Sequence, residues 1–314
     1  MRYIKDVREG DQVIGIYLCK KKNALKDKNG RTYYALTLQD KTGTVEGKIW
    51  DLTNAIGHFE AFDYIDIHAN VTSFQGALQF TVTRARKAQS MEYDPADYLP
   101  VSRYSLDRMM QDLESKIGNI EEPFLHELLV NIFINDKELR ESFKNHSAAA
   151  SVHHAFVGGL LEHSLSVANL CDFFAKRYNM LNRDLLVTAA LLHDIGKTRE
   201  LSDFPHNDYT DEGQFLGHIV IGVEMVGRYI DKIPDFPVLL AQELKHIILA
   251  HHGKPEFGSP KTPSLAEAYA LNMADDLDAK MELFRTSLGE LTADESWTGF
   301  NKFLNNTRIR KTEV

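Results

Sequence analysis

The sequence predicts a protein of two parts: a small five-stranded β-barrel, followed by a larger domain built only of helices. Up to about residue 90, apolar and polar residues alternate with a period of two in short segments, which is typical of β-strands. Beyond about residue 102, apolar residues recur every three or four positions, which is typical of helices with one buried face. This change of period divides the 314 residues into two domains.

Five strands are predicted in the first part, and they read VIGIYLCKKK, TYYALTLQD, GTVEGKIW, YIDIHANVTSF and GALQFTVTRARKA. The breaks KDKNGR, DKTG and FQG carry the Gly or Asn-Gly chemistry that tight turns need. LTNAIGHFEAF, between the third and fourth strands, predicts a short helix. Five strands with a helix after the third form the element order of the OB-fold, a barrel that often binds single-stranded nucleic acid. The segment TLQDKTGTVEGKIW also resembles the nucleic-acid-binding OB-folds of the anticodon-binding type.

The segment 91–101, MEYDPADYLPV, predicts a linker because it holds two prolines and shows no period. We therefore expect an OB-fold domain at 1–90 and a helical domain at 102–314, with its functional core at about 150–290. The apolar spacing predicts helices at 105–117, 123–133, 157–178, 183–196, 215–231, 238–252 and 264–288.

Composition restricts the class of protein. Hydrophobic residues make up 43% and charged residues 26% of the chain, which is ordinary for a soluble globular protein. No apolar run reaches 18 residues and the N-terminal segment is charged, so we expect no membrane helix, no secretory signal and a cytoplasmic location. Cys19 and Cys171 form no CxxC pattern, which argues against a disulfide framework or a thiolate zinc site. Nitrogen and oxygen would then hold any metal.

The net charge of −9 is unevenly distributed. Residues 1–90 contain 14 Lys and Arg against 10 Asp and Glu, whereas the remaining residues contain 22 against 35. A mildly basic barrel suits contact with phosphates, and an acidic helical domain suits cations. A solvated acidic surface explains the charge of the second part equally well.

In the barrel, aromatic residues offer base-stacking surface and basic residues offer phosphate contacts. The predicted nucleic-acid contacts are Tyr33, Tyr34, Trp50, Phe74, Phe80, Lys20, Lys21, Lys22, Arg84 and Arg86. Because strands alternate faces, we expect about half of these aromatic residues to fill the barrel interior instead.

The helical part places histidines and aspartates where they face the core. In LLHDIGK, His193 lies four residues after Ala189 and seven after Leu186, so it shares their buried face. A single buried histidine is most often structural. The same placement recurs about one helical hairpin apart, at His163, His218, His251 and Asp275. Imidazoles and carboxylates that converge in an apolar core suit one or more divalent metals, Mn²⁺, Fe²⁺, Co²⁺, Ni²⁺ or Zn²⁺.

His193 and Asp194 are adjacent in the sequence. Adjacent helical residues point about 100° apart, so both side chains reach one site only near a helix end. Gly196 would loosen the turn there. Asp194 would then bridge two metals while His193 binds one of them. The spacing does not decide whether His251, His252 or both bind, since His252 falls on a neighbouring stripe.

The ordered set of His163, HDIGK at 193–197, His218, the doublet at 251–252 and Asp275 resembles the metal-dependent phosphohydrolases of the HD superfamily. Together with HHAFVGGLLEHSLSVA and the barrel, it makes the chain resemble the YhaM family of bacterial 3′-5′ exoribonucleases. This resemblance implies an HD phosphohydrolase core and hydrolysis of phosphodiester bonds in single-stranded RNA, with single-stranded DNA as a further substrate. It also implies a centre of two ions, with Mn²⁺ favoured.

Two metals that share a carboxylate suit phosphodiester hydrolysis. The first ion is assigned to His163, His193, Asp194 and Asp275, and the second to Asp194, His218, His251 and, left open, His252. As a catalytic residue beside Asp194, Lys197 would contact the scissile phosphate, and a solvated lysine near a helix end is the equal alternative. Glu162 would orient a ligand or donate a proton, although a surface position is more typical. His153 and His154 would contact substrate or lie solvated in a loop.

Other functions stay open. An HD-type nucleotide or cyclic-nucleotide phosphohydrolase would use the same site with less need of a barrel. A binding or scaffold protein would hold one structural ion closed to exchangeable water, and a di-iron centre would carry oxygen chemistry. Self-association through a barrel edge strand or the helical face at 102–150 is a further expectation.

Overall fold

The structure is a computed structural model that describes residues 2–53, 55–150, 154–292, 294–304 and 306–312. The chain divides into two compact units, Met1–Val101 and Ser102–Val314. The first unit is a β-barrel and the second is helical. In the described part of the chain, we find no helix with the length and apolar character that a membrane crossing requires.

The barrel strands are β1 (Gln12–Lys26), β2 (Thr32–Asp40), β3 (Gly43–Ile49), β4 (Tyr64–Phe74) and β5 (Ala77–Lys87). Within the described residues they close in the order β1-β2-β3-β5-β4. β3 and β5 pair in parallel, and the other neighbours pair antiparallel. The predicted five-stranded, OB-fold-like barrel is therefore confirmed. Closure pairs each strand on both sides, which removes the edge strand through which we expected self-association.

Asp40 shapes the turn of the DKTG segment. This residue is only 2% exposed, and its Oδ1 accepts hydrogen bonds from the backbone N–H and the hydroxyl of Thr42 at 2.7 and 2.5 Å. Its Oδ2 accepts the backbone N–H of Ile4 at 2.6 Å. One buried carboxylate thus holds the β2–β3 turn and ties the 3₁₀ helix Ile4–Asp6 to it.

The short helix predicted between the third and fourth strands is wrong for the described part of that segment. Residues 55–62 are irregular, with turns at 55 and 61–62, and Ile56 makes a bridge to Ala85. The apolar residues that suggested a helix, Ile56 and Phe59, pack into the barrel core instead. Asn54 lies outside the described residues.

Residues 91–101, where we predicted a linker, lie in the first unit. The segment includes the 3₁₀ helix Pro95–Asp97. Tyr93 stacks on Tyr64 with ring centroids 3.9 Å apart, and Tyr98 meets Tyr64 edge-on at 5.1 Å. These ring contacts anchor the segment to the barrel.

We expect Phe80→Ala to destabilise the barrel by about 3–5 kcal/mol, because it removes a fully buried ring. That ring packs edge-on against Tyr17, with centroids 5.6 Å apart. Urea unfolding followed by circular dichroism measures the loss. Phe74→Ala is the matched control, since Phe74 is 62% exposed and its removal should change stability by less than about 0.5 kcal/mol. Equal losses in the two variants would contradict the packing described here.

The helices of the second unit are α1 (Leu106–Gly118), α2 (Pro123–Val130), α3 (Lys137–Asn145), α4 (Gly159–Arg177), α5 (Arg183–Leu192), α6 (Lys197–Glu200), α7 (Asp211–Ile230), α8 (Val238–Leu249) and α9 (Ala266–Gly289). Shorter pieces are the π-helical turn Asn131–Asn135 and the 3₁₀ helices Pro255–Phe257 and Lys302–Leu304. The helices α3 and α6 were not predicted. α3, KELRESFKN, is mostly polar and fully buries only Phe143, and α6 is a single turn.

α4 lies near the centre of the helical unit, in contact with α5 and α9. α5 also contacts α8, and α7 packs between α6 and α8. The buried residues of these helices form one continuous core, in which Leu186, Ala189 and Leu192 are fully buried. Short residues such as Ala189 let the helices approach closely enough for the side chains of α4, α5, α7, α8 and α9 to meet.

Candidate metal centre

Each predicted metal ligand lies at or near one common centre. His163 is on α4, Asp275 is on α9, and His218 is on α7. The other four ligands lie just past helix ends: His193 and Asp194 follow α5, and His251 and His252 follow α8. The prediction that His193 and Asp194 require a helix end is thus confirmed, whereas the helix predicted to reach residue 252 ends at Leu249.

Asp194 is 1% exposed and lies between two groups of imidazoles. Its Oδ2 is 3.4 Å from Nε2 of His193 and 3.5 Å from Nε2 of His163. Its Oδ1 is 3.4 Å from Nε2 of His218 and 3.7 Å from Nε2 of His251. The two oxygens of one carboxylate therefore face opposite halves of the centre.

We call these halves the first and the second half-site. The first consists of His163, His193 and Asp275, and the second of His218, His251 and His252; in each, the ligand atoms lie within 4.8 Å of one another. Asp275 Oδ1 is 3.2 Å from Nε2 of His163. The geometry places His252 beside His251, with ring centroids 4.3 Å apart, so both members of the doublet reach the second half-site.

The donor atoms fit a divalent cation. Among the described residues, Asp194 Oδ1, His218 Nε2 and His251 Nε2 are buried and have no hydrogen-bond partner. Leaving buried polar atoms unpaired costs about 1–3 kcal/mol each. All donors are nitrogen or carboxylate oxygen, as Mn²⁺, Fe²⁺, Co²⁺, Ni²⁺ and Zn²⁺ accept. A cation between these atoms would satisfy them.

The ring orientations fit the same conclusion. Nδ1 of His193 donates to the backbone carbonyl of Ala190 at 2.8 Å, and Nδ1 of His251 donates to that of Ile248 at 2.7 Å. A carbonyl oxygen only accepts, so the proton is assigned to Nδ1 and the lone pair to Nε2. In His252, Nδ1 donates to the carbonyl of Phe257 at 2.9 Å. These three rings therefore aim a metal-binding nitrogen at the centre.

Burial and charge set the protonation of the ligands. Burial lowers the pKa values of His193 and His251, which favours the neutral, metal-binding imidazole. Burial alone would lower the pKa of His163, but its hydrogen bonds to two carboxylates outweigh burial and raise the pKa to about 10. Burial would raise the pKa of Asp194, yet Lys197 and the surrounding imidazoles hold it well below its usual range. Asp194 is therefore an anion, and a cation bound beside His163 would take the place of its Nε2 proton.

Gly196 acts differently from our expectation. Its backbone has ordinary right-handed angles, φ −63° and ψ −19°, so it does not loosen the turn through special conformations. A Cβ on Gly196 would lie 2.0 Å from the carbonyl oxygen of His218 and 2.7 Å from the backbone nitrogen of Gly222. The glycine is required because α7 passes directly over it. This close approach brings His218 to Asp194.

The side chain of Lys197 is only 14% exposed and points to the centre, so the alternative of a solvated lysine is wrong. It begins α6, and its Nζ donates to Oδ2 of Asp194 at 2.6 Å. Asp194 and burial act in opposite directions on Lys197, and the net effect raises its pKa. The ammonium therefore remains charged beside the carboxylate that both half-sites share.

A cavity of about 430 Å³ lies over the centre. His163, Asp194, Lys197, His252 and Asp275 line its inner part. Around the rim lie Lys254, Lys280 and the ring of Phe257, which is 64% exposed. The cavity is large enough for a nucleotide-sized group to reach both half-sites.

Other predicted and unpredicted residues lie near the centre. Glu162 is buried and accepts a hydrogen bond from Ser102 at 2.6 Å, so the surface position is wrong. His154 is buried beside Asp278, and His153 lies outside the described residues. Sequence reasoning missed Asp278 and Glu200. A signal for Asp278 was present, because its spacing of three from Asp275 places these two aspartates on one face of a helix.

The barrel brings some of the predicted nucleic-acid residues together. Tyr33 and Trp50 stack with ring centroids 4.6 Å apart, and Trp50 is 46% exposed. Nζ of Lys48, which was not predicted, lies 5.7 Å from the centroid of Tyr33. We call Tyr33, Trp50 and Lys48 the barrel platform. The exposed ring of Trp50 beside the half-buried ring of Tyr33 suits stacking on a base, whereas the ammonium of Lys48 lies 3.7 Å from Oε2 of Glu46 and is only 18% exposed.

The remaining barrel residues divide by their contacts. Lys20, Lys21, Phe74 and Arg84 are exposed. Phe80 is wrong as a stacking residue, because it fills the barrel core. Lys22 is turned inward, with Nζ 4.6 Å from the centroid of Tyr34 and a hydrogen bond to the carbonyl of Phe59. Arg86 pairs with Asp66 and Glu92, both at 2.8 Å. Lys22, Tyr34 and Arg86 are thus engaged within the barrel.

Comparison with known proteins agrees with this architecture. Residues 160–280 match the family model described as HD domain. The chain is thus an OB-fold-like barrel followed by a helical HD domain. An HD domain indicates a metal-dependent phosphohydrolase, and an OB-fold-like barrel indicates binding of nucleic acid.

Three solved structures resemble parts of the chain. The second OB-fold domain of replication protein A from Methanococcus maripaludis is 16% identical over 28% of this chain and 95% of that chain, with a TM-score of 0.22. A replication protein A heterotrimer bound to ssDNA is 17% identical over 28% of this chain and 64% of that chain, with a TM-score of 0.22. The HD domain of the L. monocytogenes phosphodiesterase PgpH is 19% identical over 51% of this chain and 78% of that chain, with a TM-score of 0.31.

We expect Gly196→Ala to destabilise the helical unit by about 1–3 kcal/mol, because its methyl group would overlap the backbone of α7. Thermal and urea unfolding measure the change. Gly289→Ala, at the end of α9, is the matched control, since a Cβ there meets nothing within 4 Å. The free energy of unfolding of the control should equal that of the parent or exceed it by up to about 1 kcal/mol. If Gly196→Ala were as stable as Gly289→Ala, the close approach of α7 would be wrong.

Proposed function

We propose that this chain is a metal-dependent 3′-5′ exoribonuclease of the YhaM kind, which hydrolyses phosphodiester bonds of single-stranded RNA and accepts single-stranded DNA as well. The observation that carries the proposal is the position of Asp194, whose two oxygens face one half-site each. A shared carboxylate between two nitrogen-rich half-sites is the arrangement that two-metal hydrolysis uses. The direction of degradation and the preference for RNA rest on the sequence resemblance.

Two divalent cations, for which Mn²⁺ is our first choice, supply an activated water and neutralise the charge on the phosphate when bound. One cation would be held by His163, His193 and Asp275. The other would be held by His218, His251 and His252. Asp194 would hold both cations. Lys197 keeps Asp194 oriented through its 2.6 Å contact and lies in the cavity wall, where its ammonium would contact a phosphate oxygen.

The barrel platform supports a polymeric substrate. Tyr33 and Trp50 present stacked rings, and stacking on the face of a base suits many sequences. The exposed Lys20, Lys21 and Arg84 supply positive charge for a phosphate backbone. A barrel that retains the strand would let the helical unit remove nucleotides repeatedly.

Asp194→Asn should lower the rate of RNA degradation by about 10²-fold or more, because the substitution removes the charge that both half-sites share. The assay follows end-labelled single-stranded RNA at one-nucleotide resolution, with Mn²⁺ and again with EDTA, which should also stop the reaction. Asp107→Asn is the control, since its side chain is 83% exposed. Unchanged degradation by Asp194→Asn, or cleavage that proceeds in EDTA, would end the proposal.

Trp50→Ala should weaken binding of single-stranded RNA roughly 5- to 100-fold, because one stacked base contributes about 1–3 kcal/mol. Fluorescence anisotropy with labelled RNA and the full chain measures the dissociation constant. Trp297→Ala is the matched control, since Trp297 is 49% exposed and lies in the helical unit. Equal affinities of the Trp50 variant and the control would show that the platform does not bind the strand.

A nucleotide or cyclic-nucleotide phosphohydrolase is the second candidate, and the size of the cavity favours it. About 430 Å³ is enough to enclose much of a mononucleotide. Comparing the turnover of mononucleotides and polymers separates the two functions. If Trp50→Ala lowers RNA degradation and leaves hydrolysis of a mononucleotide unchanged, the barrel serves a polymer; if only small nucleotides are hydrolysed, the second candidate holds.

A further inference from the structure

We propose that Asp278 and Glu200 are positioning residues, each holding the histidine that fixes one of the two cations. Asp278 would act on His163 in the first half-site, and Glu200 on His218 in the second. The inference rests on the proposed metal-dependent function, because it concerns how strongly each half-site binds its ion. It does not depend on the substrate.

Asp278 holds the ring of His163 from the side opposite to the centre. Nδ1 of His163 donates to Oδ2 of Asp278 at 2.8 Å, and Nε2 of the same ring is 3.2 Å from Asp275. Asp278 is fixed in turn by a hydrogen bond from the hydroxyl of Ser166 to Oδ1 and by His154, whose Nε2 is 3.1 Å from Oδ2. Its side chain is only 12% exposed. Oδ2 of Asp278, which His154 also contacts, thus accepts the Nδ1–H of His163 and selects that form of the ring.

Glu200 holds His218 at a break in α7. Gly217 has φ 71° and ψ 155°, which no helix uses and which glycine adopts without strain. Oε1 of Glu200 accepts the backbone N–H of His218 at 2.9 Å and its ring Nδ1–H at 3.0 Å. The glutamate side chain is 11% exposed. One oxygen therefore fixes both the backbone and the ring of His218, with Nε2 toward Asp194.

The other three imidazoles have a different kind of partner at Nδ1. Nδ1 of His193, His251 and His252 donates to a neutral backbone carbonyl. A carboxylate raises the basicity of the histidine it holds more than a carbonyl does, and loss of such a partner typically lowers metal affinity by 10–100-fold. Each half-site contains one carboxylate-held histidine. The two carboxylates should therefore act separately, one ion each.

The test is a titration of the chelator-treated full chain with Mn²⁺ alone by calorimetry, with the number of bound ions checked by elemental analysis. The parent should bind two ions. Asp278→Asn should weaken one binding step by about 10–100-fold, and Glu200→Gln should weaken the other step by a similar factor. The double variant should show both losses. No RNA is present, so a failed nuclease assay and a failed titration can be told apart.

The assignment of steps comes from ligand variants. His163→Ala should remove the step that Asp278→Asn weakens, and His218→Ala the step that Glu200→Gln weakens. Ser166→Ala leaves Asp278 in place but less constrained, so it should weaken the first step by a smaller factor and serves if Asp278→Asn does not fold. Charge-matched controls are Asp107→Asn and Glu224→Gln, whose side chains are 83% and 51% exposed.

A merely structural role would lower the melting temperature of the metal-free chain and weaken both steps alike. Parental affinity in Asp278→Asn or Glu200→Gln would overturn the inference. The inference would also be overturned if both variants weakened the same binding step, or if the parent bound a single ion.

Discussion

The helical unit depends on one electrostatic constraint: a buried anion, Asp194, lies beside two imidazole nitrogens, Nε2 of His218 and Nε2 of His251, that are buried without a hydrogen-bond partner. The ammonium of Lys197 lies beside Asp194 and donates to Oδ2. Oδ1 faces His218 and His251 at 3.4 and 3.7 Å, beyond a good hydrogen bond. Positive charge between these atoms would repay the cost of burying them. The side chains that surround Asp194 lie on or just after α4, α5, α7, α8 and α9.

Two glycines with different roles allow His218 to reach the centre. Gly196 supplies space, because α7 crosses at a distance that admits no side chain. Gly217 supplies a conformation, because the chain must leave the helix just before His218. The break frees a backbone N–H, and Glu200 accepts it together with the ring. The contact between α6 and α7 thus links three features: the close packing at Gly196, the backbone break at Gly217 and the orientation of Nε2 of His218.

In the barrel, closure divides the aromatic residues between two tasks. Rings such as Phe80 and Tyr17 fill the interior and stabilise the fold, whereas Tyr33 and Trp50 stack on the outside. The basic residues divide in the same way: Lys22 and Arg86 are engaged with neighbouring groups, and Lys20, Lys21 and Arg84 remain exposed. The exposed set is smaller than composition suggested.

The sequence by itself determined the two fold classes, the strands, most of the helices and the set of chemically active residues, because periodicity and the HDIGK doublet are local properties of the chain. It also determined that His193 and Asp194 need a helix end, since that follows from the geometry of a helix. It did not reveal that segment 55–62 lacks a helix, that Gly196 provides space, or that Asp278 and Glu200 lie behind two of the histidines. Only the tertiary structure decided these points, because each depends on contacts between residues distant in the sequence, which no local pattern records.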